Sequence, residues 1–240
     1  MKNRYKLSII APVYQNENIK DIVKDINKKI SMPFKKKYGD IEFIIAEDGS
    51  TDNTRRILKA IKTKYNLTLD LFDKKRGYVA AVKKLYLRAK GEYIFFTDSD
   101  GEHDPADFWK LWKKMIKENS DIVVGYKIRR KPFYRVFISK INNLLLGILF
   151  GVWLKDANCG FRLLKRNAVE RIIPGTGNLT AAYNAETLIL AKRFGYRYSE
   201  VPIKHIYKES TVFSVKKLPK TISKAFFETI SLRYKLWVKG

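Results

Sequence analysis

Apolar positions in the first half of the chain switch period in a regular order. Leu7–Val13 is a nearly continuous apolar run, as in a strand buried on both faces. It gives way to Glu17–Ile30, where Ile19, Ile22, Val23, Ile26 and Ile30 recur at helical spacing. The exchange then repeats. Ile41–Ala46 reads as a strand, Asp52–Tyr65 as a helix, Leu67–Phe72 as a strand and Tyr78–Ala89 as a helix. Tyr93–Thr97 is the next strand, Ala106–Glu118 a helix behind Pro105, and Ile122–Tyr126 a fifth strand. Short buried runs alternating with amphipathic helices predict an α/β fold, a mostly parallel sheet flanked by helices.

The second half is less periodic. Arg135–Phe150 and Ala182–Arg193 read as helices and Tyr196–Ile206 as extended, while Asp156–Leu164 carries Gly160 and few periodic cues. Thr221–Val238 predicts an amphipathic helix with Ile222, Phe226, Ile230, Tyr234 and Trp237 in one stripe. Lys224, Arg233, Lys235 and Lys239 lie largely off that stripe. The longest uncharged stretch, Ile141–Leu154, has 14 residues, short of the ~20 that a membrane span requires. The N-terminal apolar run is broken by Pro12, so no signal peptide is expected.

A chain of 240 residues fits one large domain, expected here over 1–215, with 216–240 as a C-terminal amphipathic helical segment. A single cysteine excludes an intrachain disulfide, and with two histidines it excludes a structural zinc site. Both fit a reducing compartment. Forty-nine Lys and Arg against 24 Asp and Glu give a formal charge of +25. Such an excess suits a polyanionic partner, whether nucleic acid, an anionic membrane or phosphorylated substrates.

The few carboxylates are more informative, because they collect where the predicted strands end. Ligands of open α/β sheets bind beyond the carboxyl ends of the strands. Glu47-Asp48-Gly49-Ser50-Thr51-Asp52 follows the second strand, and Asp98-Ser99-Asp100-Gly101-Glu102-His103-Asp104-Pro105 follows the fourth. Four carboxylates in seven positions repel one another unless a cation or a donor network compensates. Asp98 and Asp100, with Glu102 as a third ligand, suit a hard ion such as Mg2+ or Mn2+ with phosphate oxygens completing its shell. The same residues could also form a polar turn that caps the helix at Pro105. Asp48, before Gly49 at a strand tip, is placed to accept hydrogen bonds from a ribose or a base. Neither a Rossmann glycine fingerprint nor a P-loop is present. No nucleic-acid-binding motif is recognised, and the acidic clusters oppose phosphate, so nucleic acid is not the expected partner.

Four motifs occur in order: Ala11-Pro12-Val13-Tyr14-Gln15-Asn16-Glu17, the Glu47–Asp52 and Asp98–Pro105 segments, and Asp156-Ala157-Asn158-Cys159-Gly160-Phe161-Arg162. With them the chain resembles the family 2 glycosyltransferases, from Leu7 to about Lys217. It is most similar to the dolichol-phosphate mannose synthase branch, which includes polyprenyl-phosphate glucosyltransferases. The resemblance implies a GT-A fold, the Rossmann-like fold of nucleotide-diphospho-sugar transferases. It places Pro12, Tyr14 and Glu17 in the nucleotide pocket, Asp48 on the base or ribose, and Asp98 and Asp100 on a metal at the diphosphate. Glu102 stands where relatives often have Gln. Lys127, Arg129, Arg135, Ser139 and Lys208 are assigned to the acceptor phosphate, and Asp100, Lys127, Arg135 and Lys208 to catalysis. The family's usual Gly-x-Ser near the end is replaced by a segment containing Ser210 and Ser214.

The implied reaction is inverting transfer of a hexose to a polyprenyl (dolichyl) phosphate. GDP-mannose is the leading expected donor, with UDP-glucose close behind. A glycan or protein acceptor is an alternative, and a basic nucleic-acid-binding protein a remote one. A lipid acceptor implies an anionic membrane surface as partner and a cytoplasmic, peripheral location, and leaves room for a membrane-spanning partner subunit. His103 and His205 are expected to be structural or positioning groups.

Overall fold

A computed structural model of the chain describes residues 5–128, 133–206 and 218–238, with only the backbone described at 133–135, 137 and 218–222. Arg129, Lys208, Ser210, Ser214 and the expected boundary between 215 and 216 lie outside the described residues, and the Arg135 side chain is likewise not described.

The alternation read from the sequence forms a single seven-stranded sheet in the order β3-β2-β1-β4-β6-β5-β7. The strands are β1 (Tyr5–Val13), β2 (Ile41–Glu47), β3 (Leu67–Leu71), β4 (Gly91–Thr97), β5 (Ile122–Ile128), β6 (Phe161–Lys165) and β7 (Tyr198–Lys204). Helices α1 (Ile19–Ile26), α2 (Met32–Tyr38), α3 (Thr54–Ile61), α4 (Tyr78–Arg88) and α5 (Phe108–Glu118) come from the first half of the chain. Helices α6 (Phe133–Phe150), α7 (Arg166–Ile172), α8 (Tyr183–Arg193) and α9 (Leu218–Val238) follow. Strands β1 to β4 pair in parallel, as do β5 and β7. Helix α4 packs on β1 and β2, α5 on β5 and β7, and α7 on β4 and β6. Leu7, Ile9, Ile10, Ile44, Ile45, Phe95 and Phe96 are buried in the centre of the sheet, which is why those strands read as unbroken apolar runs.

Three elements depart from the sequence reading. Glu17–Ile30 is not one helix: α1 passes through a π-helical turn, Asn27–Ser31, into α2. Pro33 falls in the first turn of α2, where a missing N–H is tolerated. Helix α7 carries no strong periodic signal and was not expected.

The third departure, β6, is the antiparallel strand in the middle of the sheet, pairing with both β4 and β5. Its five residues include Arg162, a charge that breaks the apolar pattern of a central strand. Arg162 is fully buried nonetheless. Its guanidinium donates to the carbonyls of Ala157, Cys159 and Asn184 and to Thr187 Oγ1. Those acceptors satisfy the donors that burial removes from water. They also fix the Asp156–Gly160 loop beside the end of β4.

Candidate active site

The parallel strands β1, β2 and β4 end side by side, and their carboxyl ends build the site. The Asp48 N–H donates to the Val13 carbonyl at 2.9 Å, joining the tips of β1 and β2. Glu47 is fully buried, and its carboxylate accepts from the Ser50 N–H and from Arg55 Nε. It therefore holds the Gly49–Ser50 turn. Gly49 lies at φ +70, and a Cβ there would stand 2.6 Å from the Lys75 nitrogen, so the 73–77 loop can cross the turn only over glycine.

Asp48 reaches the same loop. One carboxylate oxygen accepts from the Arg76 N–H at 2.7 Å and the other from the Gly77 N–H at 2.9 Å. The residue assigned by resemblance to a base or ribose is thus buried and spent on the backbone leading into α4. Tyr14 is half-buried, with the Lys75 ammonium 3.7 Å from its ring centre. Pro12 is buried, and its carbonyl accepts from Ser99 Oγ. Glu17 is exposed and accepts from the Asn53 N–H and side-chain amide at the start of α3. Asn16 donates to the Ser99 carbonyl. The segment after β1 is therefore stitched to both acidic loops.

Asp98 projects from the end of β4 against the Asp156–Gly160 loop. Its N–H donates to the Gly160 carbonyl at 3.0 Å, and its Oδ2 occupies the space a side chain at Gly160 would fill. Its Oδ1 accepts from the Tyr78 hydroxyl at 3.0 Å. Tyr78 in turn accepts from Asn184 Nδ2 at 3.2 Å, which links β4, α4 and α8. Desolvation, and then repulsion from Asp100, push the Asp98 carboxyl up to about 7. The same surroundings raise Tyr78 well above the ordinary tyrosine value and keep it a donor. Asp100 is exposed, and its Oδ1 accepts from the Glu102 N–H at 2.8 Å. Asp104 caps the turn at Pro105 through the Ala106 N–H, so the capping role open in the sequence falls to Asp104.

Glu102 does not join Asp98 and Asp100 as a third ligand. Its Oε2 accepts from Lys127 Nζ at 3.0 Å and lies 3.2 Å from His205 Nε2. Burial alone would raise this carboxyl, but Lys127 and His205 outweigh it and hold it below the usual range. Among the described residues, no three His, Cys, Asp or Glu side chains are grouped to hold a metal ion. Lys127, from the end of β5, therefore stands beside the acidic loop with its side chain only 12% exposed. His103 and His205 form a bridge between the acidic loop and the end of β7, reinforced by the Ile206 N–H on the Glu102 carbonyl at 2.9 Å. Ser139 is half-buried on α6, and on the same helix Asn143 bonds the Lys155 carbonyl and the Ala157 N–H. Sequence reasoning missed Tyr78 and Asn184, whose only local signals are those of helix starts.

Residues 8–173 match the profile of the glycosyl transferase family 2. The chain belongs to glycosyl transferase family 2. A dolichyl-phosphate beta-glucosyltransferase of Dictyostelium discoideum is 29% identical over 217 residues, covering 82% of this chain and 65% of the relative. A dolichyl-phosphate beta-glucosyltransferase of Saccharomyces cerevisiae is 32% identical over 222 residues, covering 82% of this chain and 66% of the relative. This family 2 chain thus spans about two-thirds of the length of those relatives. Among solved structures, glucosyl-3-phosphoglycerate synthase of Mycobacterium tuberculosis, in complex with Mn2+, UDP and glucosyl-3-phosphoglycerate, superposes with a TM-score of 0.72 at 16% identity. That superposition covers 96% of this chain and 80% of the synthase, and it shows that the family 2 chain has the GT-A fold.

Proposed function

We propose that this chain transfers glucose from UDP-glucose to a polyprenyl phosphate of the dolichyl type. The observation that carries the reading is the meeting of carboxylates and a base where β4 and β5 end. Asp98 and Asp100 stand at the end of β4, and the Lys127–Glu102 pair lies beside them at the end of β5. Such a site can take a donor diphosphate on its acidic side and an acceptor phosphate on its basic side. Glucose takes precedence over the mannose expected from motif resemblance because both relatives described above are glucosyltransferases.

Asp98 and Asp100 would hold Mg2+ or Mn2+. Their chemistry fits such an ion: burial first, and then repulsion from Asp100, raise Asp98 to about 7, and a bound cation would offset both the lost hydration and the repulsion. When bound, the metal offsets the charge developing on the departing nucleoside diphosphate. Tyr78 fixes Asp98 Oδ1, and Asp48 and Glu47 hold the loops that frame the nucleotide. A phosphate monoester has its second pKa near ~6, so the acceptor oxygen is largely ionised at neutral pH and needs no strong general base. A single displacement by that oxygen inverts the anomeric centre. Lys127 lowers the repulsion between the two bound anions, with Arg129, Arg135, Ser139 and Lys208 assigned beside it by family resemblance. A prenyl acceptor places the reaction at a membrane, on the cytoplasmic face that nucleotide sugars reach.

The test is a donor panel, UDP-glucose and GDP-mannose separately, against polyprenyl phosphate with Mn2+. Lipid-linked hexose is expected from UDP-glucose. Product from GDP-mannose alone refutes the donor. Failure of both UDP and GDP to raise the melting temperature with Mn2+ or Mg2+ refutes the transferase reading.

A further inference from the structure

Helix α9 carries apolar side chains on its outer face as well as on the face it turns to the core. Thr229 and Leu232 are buried and Leu236 packs on the core, and these mark its inner face. Phe226, Ile230, Tyr234 and Trp237 follow at helical spacing on the outer face, with Phe227 beside them. Phe227 is 70% exposed and Trp237 73%. Lone exposed apolar residues are common, but a continuous aromatic stripe facing away from the protein's own core marks an interaction surface. Helix α6, which packs against α9, repeats the pattern: Leu146 is buried while Ile141, Leu144 and Ile148 are exposed at helical spacing.

We propose that the outer faces of α6 and α9 form a docking surface that lies in the plane of an anionic lipid bilayer. The apolar stripe of α9 runs between bases, with Arg233 on one side and Lys224 and Lys235 on the other, all exposed. Rings that enter the acyl boundary while flanking ammonium and guanidinium groups stay among headgroups are what an in-plane helix requires. The flanking charge complements anionic lipid. It opposes a second copy of this chain, which would set the same bases against each other. Among the described residues no helix is long and apolar enough to cross a membrane, so this contact is interfacial. The inference rests on this surface and not on the donor or acceptor.

The experiment is co-sedimentation of the full chain at low salt, with vesicles of phosphatidylcholine containing one-third phosphatidylglycerol and with vesicles of phosphatidylcholine alone. Binding is expected to the anionic vesicles and to weaken with salt, with a blue shift in tryptophan fluorescence. The double variant Phe227→Ser/Trp237→Ser should bind at least tenfold more weakly. Both positions are exposed, and an unchanged circular dichroism spectrum and melting temperature verify the fold. Lys224→Gln and Lys235→Gln should each weaken binding roughly fivefold. Ile148→Ser repeats the test on α6. Absence of binding to anionic vesicles, full binding by the double variant, or a lipid-free dimer that the double variant dissolves would each overturn the proposal. Turnover of a short-chain, water-soluble polyprenyl phosphate by the double variant separates loss of docking from failure of the transferase reading.

Discussion

Gly160→Ala tests the arrangement at Asp98 with a single methyl group. A Cβ at Gly160 would stand 1.7 Å from Asp98 Oδ2 and 2.5 Å from its Cγ, whereas real Cβ atoms essentially never come within 3.0 Å of another heavy atom. The carboxyl must therefore retreat by about 1.3 Å or more. Gly160 does not have a positive φ, so alanine adds no backbone strain there, and the effect is one of contact alone. Retreat is resisted on two sides: Tyr78 holds Oδ1, and the Asp98 N–H remains bonded to the Gly160 carbonyl. Overpacking of this kind costs ~1–3 kcal/mol of stability. A misplacement of ~1 Å at a reacting centre costs about a hundredfold in rate, or ~2.7 kcal/mol. The assay is steady-state turnover of UDP-glucose at saturating Mn2+, with Mn2+ affinity measured separately by electron paramagnetic resonance and stability by urea denaturation. The expected result is kcat down about a hundredfold and Mn2+ affinity reduced, with the acceptor KM little changed. Turnover and Mn2+ affinity within twofold of the parent would refute the reasoning, because Asp98 would then not need the position that Gly160 leaves open.

Three further outcomes follow from the same geometry. Asp100→Ala should abolish metal-dependent turnover with the fold retained, since Asp100 is exposed; normal activity in that variant would remove the metal assignment. In the metal-free protein Asp98 keeps its proton up to about 7, while in the unfolded chain it titrates near its ordinary 3.8. The unfolded state therefore binds fewer protons between those values, and this contribution to stability falls as pH rises through the window. Divalent binding, which needs the carboxylate, should tighten as pH rises through about 7, as read from Mn2+-dependent melting temperature; a slope that survives in Asp98→Asn would exclude Asp98 as its source. Asp48→Ala leaves the Arg76 and Gly77 N–H groups without their partner, which should cost ~1–3 kcal/mol and weaken UDP binding, checked by urea denaturation and calorimetry.

Local patterning carried most of the fold. Continuous apolar strands alternating with amphipathic helices predicted the parallel half of the sheet, because both signals depend only on neighbours in the chain. Acidic motifs were legible at the strand ends for the same reason, and the structure brings the tips of β1, β2 and β4 together there. β6 escaped because its pattern is broken by Arg162, and carbonyls from the Asp156–Gly160 loop and α8, with the Thr187 hydroxyl, make that charge tolerable inside. Glu102 likewise reads as a third ligand from its spacing. Its partners Lys127 and His205 lie 25 and 103 residues away, beyond the reach of any local pattern. Tyr78 meets Asp98 from 20 residues away and was read only as the start of a helix.

Helix α9 separates the two kinds of information most clearly. Its sequence determined that an apolar stripe and flanking bases exist, because helical spacing is a property of the segment alone. Periodicity cannot say whether the stripe faces the core or turns outward. The tertiary structure decided that by burying Thr229 and Leu232 and packing Leu236 on the core, leaving Phe226, Ile230, Tyr234 and Trp237 facing outward. One helix has only one inner face, and what packed against it came from elements far away in the chain.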